Sequence, residues 1–142
     1  MRPRRPRLGF CFSLVLATSA NIATAAEPPA VLVKARLKSV ETLSPPKDNM
    51  NPGAVVRHEF EIEETLSGRT DEKSLVLTAD RIDEPLPGYE YFLVERPSPA
   101  GLVTVWWDFA YRGLCIDRRQ AREFGIDDHA VQALQHRYPC VQ

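Results

Sequence analysis

Cysteine and histidine are scarce in this chain, with three of each in 142 residues. No Cys-x-x-Cys occurs and no histidine pair accompanies a cysteine, so the familiar zinc-ligand spacings are missing. His129 and His136 are seven apart, not the four of a helical metal pair, and Ser67, Ser74 and Ser98 sit in no nucleophile motif. Glu59, Glu61, Glu63 and Glu64 crowd one stretch in the manner of a solvated face. Glycosidase chemistry needs two carboxyls across a cleft with one in an apolar pocket, and no sequence feature supplies that pocket. No segment repeats and none is of low complexity. These absences point away from an enzyme, from a metal and from a cofactor.

A basic excess is also lacking once the leader is set aside. Residues 1 to 26 open with MRPRRPR, which holds four arginines and no acid, continue with the apolar LGFCFSLVLA, and end in the small residues of ATAA. This is the pattern of a secretory signal peptide. The cut is expected before Ala26 or before Glu27. The apolar run is too short to span a bilayer and no later stretch replaces it, so no membrane anchor is expected. Cys11 follows the bulky Phe10 inside the apolar run, unlike a lipoprotein cysteine, and Arg4 and Arg5 are followed by Pro6 and Arg7, unlike a twin-arginine signal. The remaining 116 residues, 27 to 142, make one domain and carry 14 basic against 19 acidic side chains, a formal −5. An acidic, exported product is a poor partner for nucleic acid. The expected compartment is periplasmic or extracellular.

What is present is period-two alternation. In VVRHEFEIEETLSG, Val56, His58, Phe60, Ile62 and Leu66 fall on one side and Arg57, Glu59, Glu61 and Glu63 on the other. In VLVKARLKSV, Val31, Val33, Ala35 and Leu37 oppose Leu32, Lys34, Arg36 and Lys38, which predicts an outward basic face. SLVLTA and YEYFLVE add shorter strands. In LVTVWWDFAY, Val103, Val105, Trp107, Phe109 and Tyr111 share the expected core side, opposite Thr104, Trp106 and Asp108. The proline-rich LSPPKDNMNPGA and the stretch ADRIDEPLPG read as loops, and long loops in compact domains are often functional.

From about residue 117 the period changes. Asp117 with Gln120 predicts a capping box, with Ile116 stapling onto Ala121 and Gly125 stopping the helix. Asp127 or Asp128 caps a second helix with a Val131, Leu134 and Tyr138 stripe that ends at Pro139. With Cys11 removed, Cys115 and Cys140 remain as an even pair in an oxidising compartment and predict a disulfide. Closing a loop of that length stabilises by about 3.5 kcal/mol in the chain-entropy view. Five strands followed by helices predict a mainly β fold: a five-stranded OB-type Greek-key barrel with C-terminal helices.

AVLVKARLKSVE, FEIEETLSG, LPGYEYFLVE and the cysteine after the fifth strand are similar to the pattern of netrin-like modules, among them the inhibitory domains of tissue inhibitors of metalloproteinases. The resemblance implies the OB barrel. In those inhibitors an N-terminal cysteine caps the protease zinc; here the mature chain begins with Ala26 or Glu27, so that activity does not carry over.

The function these readings favour is a small exported binding module engaging a protein partner through its loops. The alternatives are an inhibitor of an extracytoplasmic hydrolase and a carbohydrate-binding module, which would make the partner a glycan. His58 could serve as a base, but on an inward strand face a hydrogen-bonded core histidine is the expected outcome. Trp106 and Trp107 are adjacent in a strand and point to opposite sides. With Trp107 in the core, Trp106 either lies beneath the helices or forms a recognition surface with Tyr111 and Arg112. N-terminal sequencing of the natively produced protein is expected to read from Ala26 or Glu27, and an intact Met1 on the cytoplasmic protein would overturn export.

Overall fold

The strand with apolar residues on both faces occupies the middle of the sheet. In this computed structural model, which describes residues 27–44, 55–80 and 87–141, β1 (Val31–Ser44) pairs on one side with β2 (Val55–Ser67) and on the other with β4 (Glu90–Ser98). β3 (Ser74–Asp80) adds to β2, and β5 (Gly101–Phe109) adds to β4. Every ladder is antiparallel and the spatial order is β3-β2-β1-β4-β5. β4 returns to lie beside β1 after the β1-β2-β3 meander, which is the Greek-key arrangement. A 3-10 turn (Ala110–Arg112) leads to two helices, α1 (Arg118–Glu123) and α2 (Asp128–Arg137). No helix among the described residues is long and apolar enough to cross a membrane.

The expected closed ring of strands is not what the ladders form. β3 and β5 stand at the two edges of one open sheet and share no ladder, although they approach to within 8 Å Cα to Cα. β3 is only seven residues long, and closure requires matched tilt and stagger along both edges. From residue 45 onward the first proline-rich loop lies outside the described residues, as do residues 81–86 of the second.

Each side of the sheet has its own core. On one side Val31, Val33, Ala35 and Leu37 of β1 meet Phe60, Leu75, Tyr91 and Leu93, with Trp107 and Phe109 packed against them. On the other side Leu32, Phe92 and Val94 lie beneath Ile116, Ala121, Ile126 and Val131 of the helical segment. Leu32, expected to face outward with the lysines, is therefore 0% exposed. Tyr91 through Glu95 are buried without a break, because both faces of β4 are covered.

Bulges in three strands, β1, β2 and β5, shift the alternation. Glu63 and Leu66 are extra residues opposite β1, and Leu66 packs with the helix-side core, not with Phe60 as the period predicts. Lys38 is extra in β1, so Leu37 and Val40 share a side despite their spacing of three. In β5 the pairing jumps from Val94↔Trp106 to Glu95↔Thr104, leaving Val105 unpaired. Val103 and Val105 are accordingly exposed, and Leu102 instead joins Trp107 and Phe109 in the core. The expected placing of both valines in the core is corrected by this bulge.

The helical segment forms as its capping residues predict. Asp117 accepts from the Gln120 backbone N–H at 2.7 Å while the Gln120 side chain accepts from the Asp117 N–H at 3.0 Å. Asp127, not Asp128, caps α2 by accepting from the Ala130 N–H at 3.1 Å, and Asp128 pairs with Arg122 at 3.2 Å. Val131 is buried in the helix-side core, with Leu134 and Tyr138 packed against it. Cys115 and Cys140 form the expected disulfide, with Cα atoms 4.8 Å apart.

Beside it the Leu114 N–H donates to the Tyr138 carbonyl at 3.0 Å and the Val141 N–H to the Arg112 carbonyl at 2.8 Å. Gly113, between these bonds, has φ +76°, and a Cβ there would come within 1.8 Å of the Pro139 carbonyl oxygen. Gly113→Ala is expected to destabilise by about 3 kcal/mol or more, through both the left-handed backbone and the clash. Hydrogen exchange should show α2 opening ahead of the β1-β2-β4 ladders, both in this variant and after reduction of the disulfide. Loss of protection in all elements together would contradict that order.

Candidate functional site

The same alternation that buries Val33 and Ala35 turns Lys34 and Arg36 to the opposite side of β1. Arg36 lies opposite Glu90 in the β1-β4 ladder, and the bulge at Glu63 brings that carboxylate alongside. Arg36 donates from Nε to Glu63 Oε1 at 2.6 Å, from Nη2 to Glu90 Oε1 at 2.7 Å and from Nη1 to the Gly88 carbonyl at 2.9 Å. Lys34 Nζ reaches Glu90 Oε2 at 2.7 Å and Glu63 Oε2 at 3.4 Å. Two cations and two carboxylates thus form a closed four-membered ion network.

Its electrostatics are mutually supporting. Partial burial on its own would lower Lys34, but the contacts with Glu90 and Glu63 outweigh it and hold the ammonium above its ordinary value. The Lys34 hydrogen bond holds Glu90 below the usual carboxylate range. One residue along β2, Glu64 accepts both Arg137 Nη1 at 2.6 Å and Nη2 at 3.1 Å, together with the Tyr138 hydroxyl at 3.3 Å. The Arg137 bond is the main cause of the lowered Glu64 carboxyl. This clamp fixes the end of α2 against the sheet.

Above the network lies a groove of about 670 Å³, bounded by Lys34 and Arg36 of β1, Pro87 to Glu90 at the start of β4, Ala110 and Tyr111 of the 3-10 turn, and Tyr138. Ligand sites of small molecules run to roughly 300–1,000 Å³, so the groove is of ligand size. Tyr89 and Tyr111 meet edge to face at 6.4 Å between centroids, and they are 45% and 69% exposed. Phe109 leans against Tyr111 at 5.2 Å and Tyr91 backs Phe109 at 4.9 Å, so the exposed pair is braced from the core.

The residues singled out from sequence separate in space. Tyr111 lines the groove. Arg112 is exposed and pairs with Asp108 at 3.5 Å. Trp106 is half-buried and packs on the helix-side core, opposite Trp107 as alternation requires. His129 and His136 are exposed on α2. Lys34, Arg36, Glu90, Tyr89 and Tyr138 were not singled out. Their signal was the pairing of a basic strand face with glutamates of two other segments, which becomes visible only when the register is known.

Two buried ionisable groups lie away from the groove. His58 is fully buried. Its Nδ1 donates to the Leu77 carbonyl at 3.3 Å, and Nε2 has no hydrogen-bond partner among the described residues. Burial lowers its pKa from the ordinary 6.5. Glu95 is 1% exposed and accepts one hydrogen bond, from the Thr104 hydroxyl at 2.7 Å. Burial raises its carboxyl above the ordinary 4.5 despite that bond. Set beside known proteins, the chain matches no protein family, no curated protein and no solved structure.

These groups pull stability in opposite directions along the pH axis. Above 4.5 the unfolded chain releases the Glu95 proton while the fold still holds it, so stability falls as pH rises through that window. Below 6.5 the unfolded chain takes up a proton that buried His58 refuses, so stability falls as pH drops. Glu95→Gln is expected to be more stable than the parent near pH 7, with the gain shrinking toward about pH 4. His58→Phe should flatten the acid limb. Urea midpoints across that range check both, and parallel profiles for parent and variants would contradict the assignment.

Proposed function

We propose that the protein is a small exported binding module, non-catalytic, with an OB-type barrel of the netrin-like kind as its scaffold and the Tyr89–Tyr111 groove as its recognition site. The observation that carries this reading is an exposed, core-braced tyrosine pair above a floor whose charges are all engaged. A general acid or base needs proton-transfer capacity aimed into a cleft, whereas these groups are committed to one another. Exposed aromatic rings above a rigid, satisfied base are what recognition requires.

The scaffold reading draws on the strand order and on the near approach of β3 to β5, which suit a partly open Greek-key barrel. Export draws on the leader and on the disulfide, which suits an oxidising compartment. Of the surface residues first expected to bind, Tyr111 is kept. Trp106 and Arg112 are set aside because neither lines the groove.

A thermal-shift screen of the oxidised protein against soluble peptides, oligosaccharides and small acids tests the proposal. At about 100 Kd a ligand adds roughly 2.7 kcal/mol of stability. Tyr89→Ala/Tyr111→Ala is expected to abolish that gain while changing the unliganded stability by only about 0.5 kcal/mol per exposed site. A ligand whose shift survives the double variant would move recognition elsewhere, and conversion of the ligand to product would make the protein an enzyme.

A further inference from the structure

Resting on the binding-module reading, we infer that the groove takes an uncharged, polyhydroxylated ring compound, a segment of neutral oligosaccharide. The floor decides the charge. Lys34 and Arg36 are matched by Glu63 and Glu90 at 2.6 to 3.4 Å, so among the described residues the floor offers no unpaired charge to an ionic ligand. A phosphate, a uronic acid or a basic peptide would meet both signs of charge within one floor, so its attraction to one pair is offset by repulsion from the other.

The same network retains hydrogen-bonding capacity. Lys34 uses its ammonium on two carboxylates and keeps a third N–H. Each terminal nitrogen of Arg36 makes one contact and keeps a second hydrogen, and the carboxylate oxygens keep free lone pairs. Spare donors and spare acceptors therefore stand side by side on one floor. A hydroxyl donates and accepts at once, so a row of hydroxyls can use both kinds without displacing a bridge. Charged or purely apolar groups cannot.

The walls supply the complementary contact. A pyranose ring has a C–H face as well as hydroxyl edges, and the exposed parts of the Tyr89 and Tyr111 rings offer apolar area with a polar tip. Tyr111, at 69% exposure, stands at the open rim of the groove, where a ring can reach it from solvent.

Titration calorimetry with cello-, chito- and malto-oligosaccharides, and with oligogalacturonate as the charged counterpart, tests the inference on the oxidised protein. At least one neutral series is expected to bind. Tyr111→Ala should weaken that binding by about tenfold or more, and Tyr111→Phe should retain most of it because the ring face remains. The affinity should stay constant between about 50 and 500 mM salt, as befits an uncharged ligand. Binding of oligogalacturonate or of a peptide alone, lost in Tyr111→Ala, would overturn the neutral-glycan inference and leave the binding-module reading standing. Ligands whose affinity is indifferent to Tyr111 and Tyr89 would overturn both.

Discussion

β1 must be buried on both faces along its first half, and the rest of the molecule answers to that requirement. Val31, Leu32 and Val33 are consecutive and all nearly inaccessible. A lone antiparallel sheet can bury one side of such a run, so a second layer has to cover the other. The helical segment provides it: α1 and α2 close over Leu32, Phe92 and Val94. Further along β1 that cover ends, and the residues on the same side become Lys34 and Arg36. The groove lies where the helix-side core stops.

Much of the fold was legible because strands and helix caps are local. The alternation in VVRHEFEIEETLSG fixes a strand, and the reciprocal Asp117 and Gln120 side chains fix a helix start, with no reference to the rest of the chain. The face assignments failed where an extra residue is tolerated by the partner strand. Nothing in LVTVWWDFAY marks Val105 as unpaired, since a valine suits a bulge and a ladder position equally in composition. The mispairing becomes visible only against β4, where Glu95 faces Thr104 and Val94 faces Trp106. Closure of the sheet is likewise a property of two edges, not of either strand alone.

The site was less legible than the fold. Tyr111 drew notice as an aromatic next to a tryptophan strand, yet its groove partner Tyr89 lies 22 positions earlier and meets it through a long-range contact. Lys34 and Arg36 looked like a solvated face because alternation says which side a residue takes and not what stands opposite. Glu63 reaches them through a bulge and Glu90 through the β1-β4 register. Such a network is a tertiary fact written in residues that each look ordinary.

The bulge in β5 has a bearing on solubility. An edge strand with evenly spaced donors and acceptors is a template for another chain, and β-branched side chains such as Val103 and Val105 would favour that growth. An unpaired residue in the middle of the strand bends it and increases its twist, which spoils the flat repeat that stacking demands. The irregularity that sets Val105 aside from the core thus also makes this edge a poor seed for fibrils.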